Sequence, residues 1–326
     1  MIASTMHGRA ELVFARRGAR TILAHSRVEA PMATVRPFEL PDGGLVIQLI
    51  TLGPGLCAGD SVHLDIEAGE GARVVVTTTA AARVMSMEAG SRAEQHVRLR
   101  AARHATLEYY PCVTIPFPGS AFEQTVHAAA DADARIGVLE AWALGRTARD
   151  EYLQFTRIAS RTTLEVDGAI IHMDVTDLDP SSHGDLAGAG VLDRRRYVAS
   201  GFWYGVTLEA TPEPSGREGA ARGLSSLNKD QIAERGARLA RRDDREYREY
   251  LREEQRSQTG CPAREVVLDQ RGQTTSVAFG QSRPHLAYLR ALGDEGPALD
   301  AVLRRSVELV GMAWRLPAVQ LNRFRC

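Results

Sequence analysis

The sequence predicts a mainly β fold, a stacked β-helix-like scaffold of many short strands with a few C-terminal α-helices. The prediction rests on a pattern that occurs three times between Val62 and Trp142. Each copy has an alternating segment, a short turn and a second apolar segment. The turns end at Ala72, Ala105 and Ala134, which are 33 and 29 residues apart. A period near 30 with two strands per unit indicates stacked β-layers, because one unit alone has too little apolar surface to bury.

Strands along the rest of the chain are predicted from apolar alternation and from turn residues. In the segment 61–67, Val62, Leu64 and Ile66 alternate with polar residues, which is typical of a half-buried strand. The Asp167-Gly168 dipeptide between two alternating segments predicts a tight hairpin. The predicted strands are 45–51, 61–67, 73–78, 106–110, 135–142, 152–166, 169–175, 195–209, 265–268 and 274–279.

The domain prediction separates a β-rich scaffold with quasi-repeats of about 30 residues, 1–210, from the segment 211–326. Residues 211–223 are rich in Pro, Gly and Glu and predict a linker. Residues 228–258 carry acidic and Arg residues at spacings of three and four, which predicts a charged helix. Two strands and two amphipathic helices, 283–292 and 297–314, are then expected to pack on the same domain.

Composition excludes several classes of function. The net charge of −1 argues against general affinity for nucleic acid or anionic membranes. The only lysine is Lys229, so a phosphate-binding loop is absent and a Schiff-base lysine is not expected. No apolar run is long enough to span a membrane or to form a signal peptide near Met1, which predicts a cytoplasmic protein with free thiols. The cysteines are too widely spaced for a Cys-x2-Cys zinc site: Cys57, Cys112, Cys261 and Cys326.

Two local clusters combine small residues with polar groups. The glycine-rich turn 53–60 ends in Asp60, which either caps backbone amides or presents a carboxylate to a groove or tunnel. Hydroxyl groups end the apolar strand 73–78 and continue into small residues up to Arg83. Threonine suits strands by itself, and the alternative is that Thr77 and Thr78 line a narrow polar channel.

Two further clusters follow. Three prolines stiffen the segment 107–119, whose Ile115 and Phe117 could dock a partner. Cys112 in the same segment is interpreted as a plain thiol. Glu140 lies in an otherwise apolar strand, where an unpaired carboxylate is costly. The interpretations are a buried ion pair with Arg146 or Arg83 and a functional carboxylate with a perturbed pKa.

Four motifs between Pro54 and Glu151 resemble, in this order, the urease accessory protein UreD family, called UreH in some organisms. The first two read Pro54-Gly-Leu-Cys-Ala-Gly-Asp60 and Thr77-Thr-Thr-Ala-Ala-Ala-Arg83. The third reads Leu107-Glu-Tyr-Tyr-Pro-Cys-Val-Thr-Ile-Pro-Phe117. The fourth reads Glu140-Ala-Trp-Ala-Leu-Gly-Arg-Thr-Ala-Arg-Asp-Glu151. The resemblance is best over 17–168 and thinner as far as 209.

Departures from the family pattern are local in the first half of the chain and broader in the last third. Pro54 and Asp150 stand where the family has glycine. Arg83 replaces a lysine and keeps its charge but not its shape. The charged segment 228–258 resembles an expansion, and the ending 320–326 differs from the family's usual one.

The resemblance implies a non-enzymatic maturation factor. Such a protein is a scaffold that binds apo-urease and the helical partner UreF, which recruits the GTPase UreG. The assembly delivers nickel to urease, with nickel in transit and no tightly bound cofactor. Neither nucleic acid nor membrane is an expected partner, and a dimer within the complex is left open.

The resemblance also suggests a polar internal passage for nickel, whose residues follow by motif match. They are Asp60, Thr77, Thr78, Glu108, Glu140 and Glu151. The partner-docking candidates are Ile115, Phe117 and Arg146. Weak oxygen ligands suit passage, because tight His or Cys sites would not release nickel. The alternatives are a β-helix carbohydrate-active enzyme that uses Asp60, Glu108 and Glu140 as paired acids, and a purely structural assembly module.

Overall fold

The computed structural model describes residues 5–188, 190–206, 264–265, 275–317 and 319. The predicted linker 211–223, the predicted charged helix 228–258 and most of the predicted strand 265–268 lie outside these residues. The described strands are β1 (His7–Arg17), β2 (Arg20–Glu29), β3 (Met32–Thr34), β4 (Phe38–Glu39), β5 (Leu45–Thr51), β6 (Ser61–Ala68), β7 (Arg73–Thr79), β8 (Ala82–Val84), β9 (Ala93–Ala101), β10 (Thr106–Tyr110), β11 (Thr114–Pro116), β12 (Ala121–Ala130), β13 (Arg135–Ala143), β14 (Arg157–Val166), β15 (Ala169–Leu178), β16 (Tyr197–Tyr204), β17 (Arg264–Glu265), β18 (Thr275–Arg283) and β19 (Leu286–Gly293). One α-helix, α1 (Gly296–Ala313), and a 3-10 turn at Thr147–Arg149 complete the described elements.

The strands form two sheets, which confirms the mainly β, stacked fold. The first sheet has the order β15-β14-β12-β9-β6-β1-β2. The second has the order β17-β18-β19-β16-β13-β10-β7-β5-β3, with β4, β8 and β11 attached beside this path. The strands β1, β6, β9, β12 and β14 run parallel in the first sheet, and β5, β7, β10 and β13 run parallel in the second.

The three sequence copies stack directly on one another. In the first sheet His63 is in register with His96, and His96 is in register with Thr125. The turn alanines form a second column, because the Thr106 amide donates to the Ala72 carbonyl and the Arg135 amide donates to the Ala105 carbonyl, each over 2.8 Å. The repeat in the sequence is therefore one coil of the scaffold.

Two hydrophobic cores flank the second sheet. The larger core fills the space between the two sheets and takes the inward residues of β6, including Val62, Leu64 and Ile66, as the alternation predicts. The smaller core lies on the opposite face of the second sheet, under α1. The apolar residues of the buried stripe of α1 are the five that the sequence predicts, and Ser306 is buried beside them: Leu299, Val302, Leu303, Val307 and Val310.

The predicted helix over 283–292 is wrong. This segment is the end of β18, a turn at 284–285 and most of β19. Both faces of β19 carry apolar residues: Leu286 belongs to the core between the sheets, and Ala287 and Leu289 belong to the core under α1, while Arg290 is exposed. Apolar residues on both faces of a strand interrupt the polar–apolar alternation of its sequence, and they can then match a helical period.

The hairpin between β14 and β15 is confirmed. Val166 is in register with Ala169, which leaves Asp167 and Gly168 as the two-residue turn. Their φ angles of 48° and 82° are both positive, as this tight turn type requires. Among the described residues, no helix combines the length and apolar character needed to cross a membrane.

Candidate functional site

A cavity of about 530 Å³ is lined by residues from both sheets and from the loops between their strands. Residues of the glycine-rich turn 53–56 and of the segment 78–83 form one part of its wall. Residues of 109–115 form another part. The inward side chains of Gln95, Gln124 and Glu140 complete a polar wall.

Glu140 is the charged centre of this polar wall. Its side chain extends from β13 into the space between the sheets, where the residue is 6% exposed. The Thr162 hydroxyl donates to Oε2 over 2.7 Å, and the Ser160 hydroxyl donates to Oε1 over 2.9 Å. Gln124 Nε2 donates to the same Oε1. Burial raises the pKa of Glu140 above its ordinary value, and the hydrogen bond from Thr162 opposes that increase.

The partners of Glu140 differ from those expected. Arg146 instead forms a two-pronged ion pair with Glu151, and the Arg83 guanidinium donates to the Gly53 carbonyl over 3.2 Å. Hydroxyl and amide groups therefore satisfy Glu140 in place of a guanidinium. Neutral donors can stabilise a buried carboxylate without bringing a second charge into the core.

The polar groups continue along the scaffold on both sides of Glu140. On one side, Gln95 Nε2 donates to Gln124 Oε1 over 3.0 Å, and these two glutamines are in register on β9 and β12. On the other side, Thr162 is in register with Asp174 of β15. Asp174 forms an ion pair with Arg290 of β19, whose side chain is 45% exposed. A row of oxygen-bearing groups thus runs from the cavity to a solvent-exposed ion pair.

Thr77 and Thr78 occupy different positions although they are adjacent in β7. The Thr77 hydroxyl is fully buried and donates to the Tyr110 carbonyl over 2.7 Å. Thr78 lines the cavity, and its hydroxyl accepts a hydrogen bond from the Cys112 amide over 2.8 Å. The Cys112 thiol donates to the Thr78 carbonyl, so it joins the same wall. Only the second of the two predicted threonines therefore lines the cavity.

Glu108 lies on the opposite face of the second sheet from the cavity. Its neighbours in β10, Leu107 and Tyr109, belong to the core between the sheets, whereas Tyr110 belongs to the core under α1. The Tyr110 hydroxyl donates to Glu108 Oε1 over 3.1 Å. Burial raises the pKa of Glu108, and the Arg73 guanidinium, 3.9 Å from Oε2, opposes that increase. The structure does not bring Glu108 to the polar wall.

Asp60 and Glu151 also lie apart from the cavity wall. Asp60 is 2% exposed, and its two carboxylate oxygens accept the amides of Met6 and Cys57, each over 2.8 Å. It therefore caps the turn before β6, which is the first of its two interpretations. Glu151 lies near the surface in its ion pair with Arg146, whose hydrogen bond lowers the pKa of the Glu151 carboxyl.

The three docking candidates divide between the cavity wall and the surface. Ile115 is in the short strand β11 and lines the cavity. Phe117 follows that strand, and the Arg146 guanidinium lies over its ring with 4.1 Å between the guanidinium carbon and the ring centroid. The attraction between the cation and the aromatic ring holds these two partly exposed side chains together.

Comparison with known proteins places this scaffold in a family. The sequence model of the UreD urease accessory protein matches residues 6–324. The chain belongs to the UreD urease accessory protein family. It is similar to the urease accessory protein UreD of Deinococcus radiodurans, with 34% identity over 226 residues that cover 68% of this chain and 81% of the relative. A urease accessory protein UreD 1 of Synechococcus is 34% identical over 204 residues, which cover 62% of this chain and 75% of the relative.

Membership of the UreD family extends through the C-terminal third, where the motif resemblance is thinnest. Motif matching finds Glu140 and Thr78 but misses other polar groups of the wall. The residues missed are Gln95, Gln124, Ser160 and Thr162. The sequence does carry a signal for the two glutamines. Gln95 directly precedes the second repeat copy and Gln124 directly precedes the third, and Val62 takes the same position before the first copy.

Proposed function

We propose that this UreD family member is a urease maturation scaffold that binds apo-urease and an assembly of UreF and UreG, and that nickel crosses its polar interior. The observation that carries the proposal is the buried row of oxygen groups around Glu140, inside a scaffold of this family. Carboxylate, hydroxyl and amide oxygens are weak ligands for nickel. They suit a path on which an ion must be released as readily as it is bound.

The proposed passage contains only two of the six residues that the motif match assigns to it. It includes Thr78 and Glu140 and adds Gln95, Gln124 and Thr162. An ion that crosses this space would replace part of its water shell with these side-chain oxygens. Glu140 would supply the only carboxylate charge among the described residues of the cavity wall.

The proposal assigns no catalytic step to this chain and no tightly bound cofactor. The family relatives are named accessory proteins, and GTP hydrolysis would belong to UreG. The protein would work in the cytoplasm with its partners. The stacked Phe117 and Arg146 at the surface, near the cavity wall at Ile115, are the proposed contact for one partner.

The carbohydrate-enzyme alternative has no supporting geometry. Paired acids of a glycosidase flank one bond at a separation of roughly 5–10 Å. Here Asp60 caps a turn, Glu108 lies on the outer face of the second sheet with Tyr110, and Glu140 lies between the sheets. The three carboxylates therefore do not share one site.

Co-purification tests the scaffold part of the proposal. The tagged chain would be co-expressed with UreF, UreG and the urease subunits of its own organism in the presence of nickel. We expect UreF and apo-urease to co-purify with the chain. A well-folded chain that retains neither partner would contradict the scaffold role.

The nickel passage requires a second experiment on the same complex. We expect Glu140→Gln to lower the nickel content of co-expressed urease while the complex still forms. Glu108→Gln is the matched control, because Glu108 is equally buried, has a raised pKa and lies on the other face of the sheet. Equal urease nickel content in wild type and Glu140→Gln would rule out a role for this carboxylate in passage.

A further inference from the structure

The outer face of the first sheet, which points away from the cavity, collects histidines that are far apart in the sequence. His7, His63, His96 and His127 lie on β1, β6, β9 and β12, and all four are at least partly exposed. Their neighbours in each strand point inward to the core. The parallel register of successive coils brings His63 directly beside His96.

The His63 and His96 rings are stacked with centroids 4.8 Å apart and an angle of 27° between their planes. Imidazole nitrogens bind late first-row metal ions at about 2.0–2.1 Å, so two nitrogens on one ion lie roughly 3–4 Å apart. Rotation about the side-chain torsions of His63 and His96 would turn one nitrogen of each ring toward a common ion. Both side chains are at the surface, where such a rotation meets no core packing.

A hydrogen bond orients the His96 ring so that its second nitrogen faces away and can bind a metal ion. His96 Nδ1 lies 2.9 Å from the Thr125 hydroxyl on the next strand. When Nδ1 donates to that hydroxyl, Nε2 carries the free lone pair that a metal ion requires. The same arrangement recurs at His7 with Ser61 and at His127 with Thr163.

The charges around the two rings are compatible with a cation. Glu94 Oε2 lies 3.6 Å from His96 Nε2 and places a negative charge beside the ring, while Glu94 Oε1 accepts a hydrogen bond from Arg92 Nε over 2.7 Å. Two guanidinium groups lie nearby, and each has a carboxylate partner: Arg9 pairs with Glu11, and Arg98 lies 3.6 Å from Asp65.

We propose that His63 and His96 form a surface site for a late first-row divalent metal ion such as Cu²⁺, with water as the further ligands. The described residues contain no preformed cluster of three or more His, Cys, Asp or Glu that could hold a metal ion. The site is therefore an open, two-imidazole site of modest affinity and rapid exchange. It is separate from the proposed interior passage, because the first sheet lies between them.

A Cu²⁺ titration monitored by electron paramagnetic resonance spectroscopy tests the site. The full-length chain would carry a purification tag without histidine and would be titrated with Cu²⁺. Wild type is expected to show a species with two nitrogen ligands. His63→Ala and His96→Ala should each lose one of these nitrogens and bind at least about tenfold more weakly.

His7→Ala is the matched control, because His7 lies on the same sheet face but opposite a serine instead of a histidine. It should bind Cu²⁺ as wild type does, and thermal unfolding would verify that all variants are folded. Unchanged spectra in His63→Ala and His96→Ala would overturn the site. An equal loss of Cu²⁺ affinity in His7→Ala would also overturn the site, because Cu²⁺ would then bind to several histidines of the sheet face and not to His63 and His96 in particular. The proposed passage is tested by Glu140→Gln alone, so the two ideas can fail separately.

Discussion

Substitution of Glu140 separates the hydrogen-bonding role of this side chain from its charge. Glu140→Ala leaves three buried donors without an acceptor, those of Thr162, Ser160 and Gln124. An unsatisfied buried donor costs about 1–3 kcal/mol, so the free energy of unfolding should fall by at least about 3 kcal/mol. Glu140→Gln retains an acceptor oxygen, and the two hydroxyls can rotate to suit the new amide.

The pH dependence of these variants follows from the raised pKa of Glu140 in the folded protein. Between the unfolded and the folded pKa, the native state holds a proton that the unfolded state has released. The contribution of Glu140 to stability is therefore present below the unfolded pKa and is lost as pH rises through the folded pKa. The slope is at most about 1.4 kcal/mol per pH unit, and Gln has no such slope. The difference in unfolding free energy should shift in favour of Glu140→Gln as pH rises.

The difference in unfolding free energy between wild type and Glu140→Gln is measured by guanidinium denaturation at pH 5, 6.5 and 8, with circular dichroism as the signal. Glu151→Gln is the control of opposite sign, because the hydrogen bond from Arg146 lowers the pKa of the Glu151 carboxyl. That variant should not become relatively more stable as pH rises. A difference between wild type and Glu140→Gln that stays constant from pH 5 to 8 would refute the reasoning, since Glu140 would then ionise as it does in the unfolded chain.

Two further predictions concern His172 and Gly137, which lie outside the cavity wall. Burial lowers the pKa of His172 to about 4, so the folded protein should lose up to about 3 kcal/mol as pH falls from about 6.5 to 4. His172→Phe should remove this acid-dependent loss in denaturation curves, and an unchanged pH profile would contradict it. Gly137→Ala would place its Cβ 2.5 Å from Trp203 Cδ1 and 2.9 Å from the Tyr110 hydroxyl, at a cost of about 1–3 kcal/mol. Thermal unfolding measures that cost against Gly293→Ala, whose nearest contact is 3.5 Å, and equal melting temperatures would show that the strand shifts freely.

The repeat period predicts the stacking of the coils because each copy contributes one strand to each sheet. The turn alanines Ala72, Ala105 and Ala134 mark the same point of each coil and are all buried. The prediction fails over 283–292, where β19 carries apolar residues on both faces and its sequence lacks a regular polar–apolar alternation.

The sequence by itself determined the fold class, the coil period and, through four ordered motifs, the family. It also marked Glu140 as unusual, because a carboxylate in an apolar strand requires partners. Only the tertiary structure decided that Glu140 lies between the sheets while Glu108 lies on the opposite face of the second sheet. The strands β10 and β13 are buried on both faces, so no polar alternation records which side chains point to which core. The contact between His63 and His96 likewise depends on the register between neighbouring coils. The sequence does not specify that register, because the repeat copies are unequally spaced.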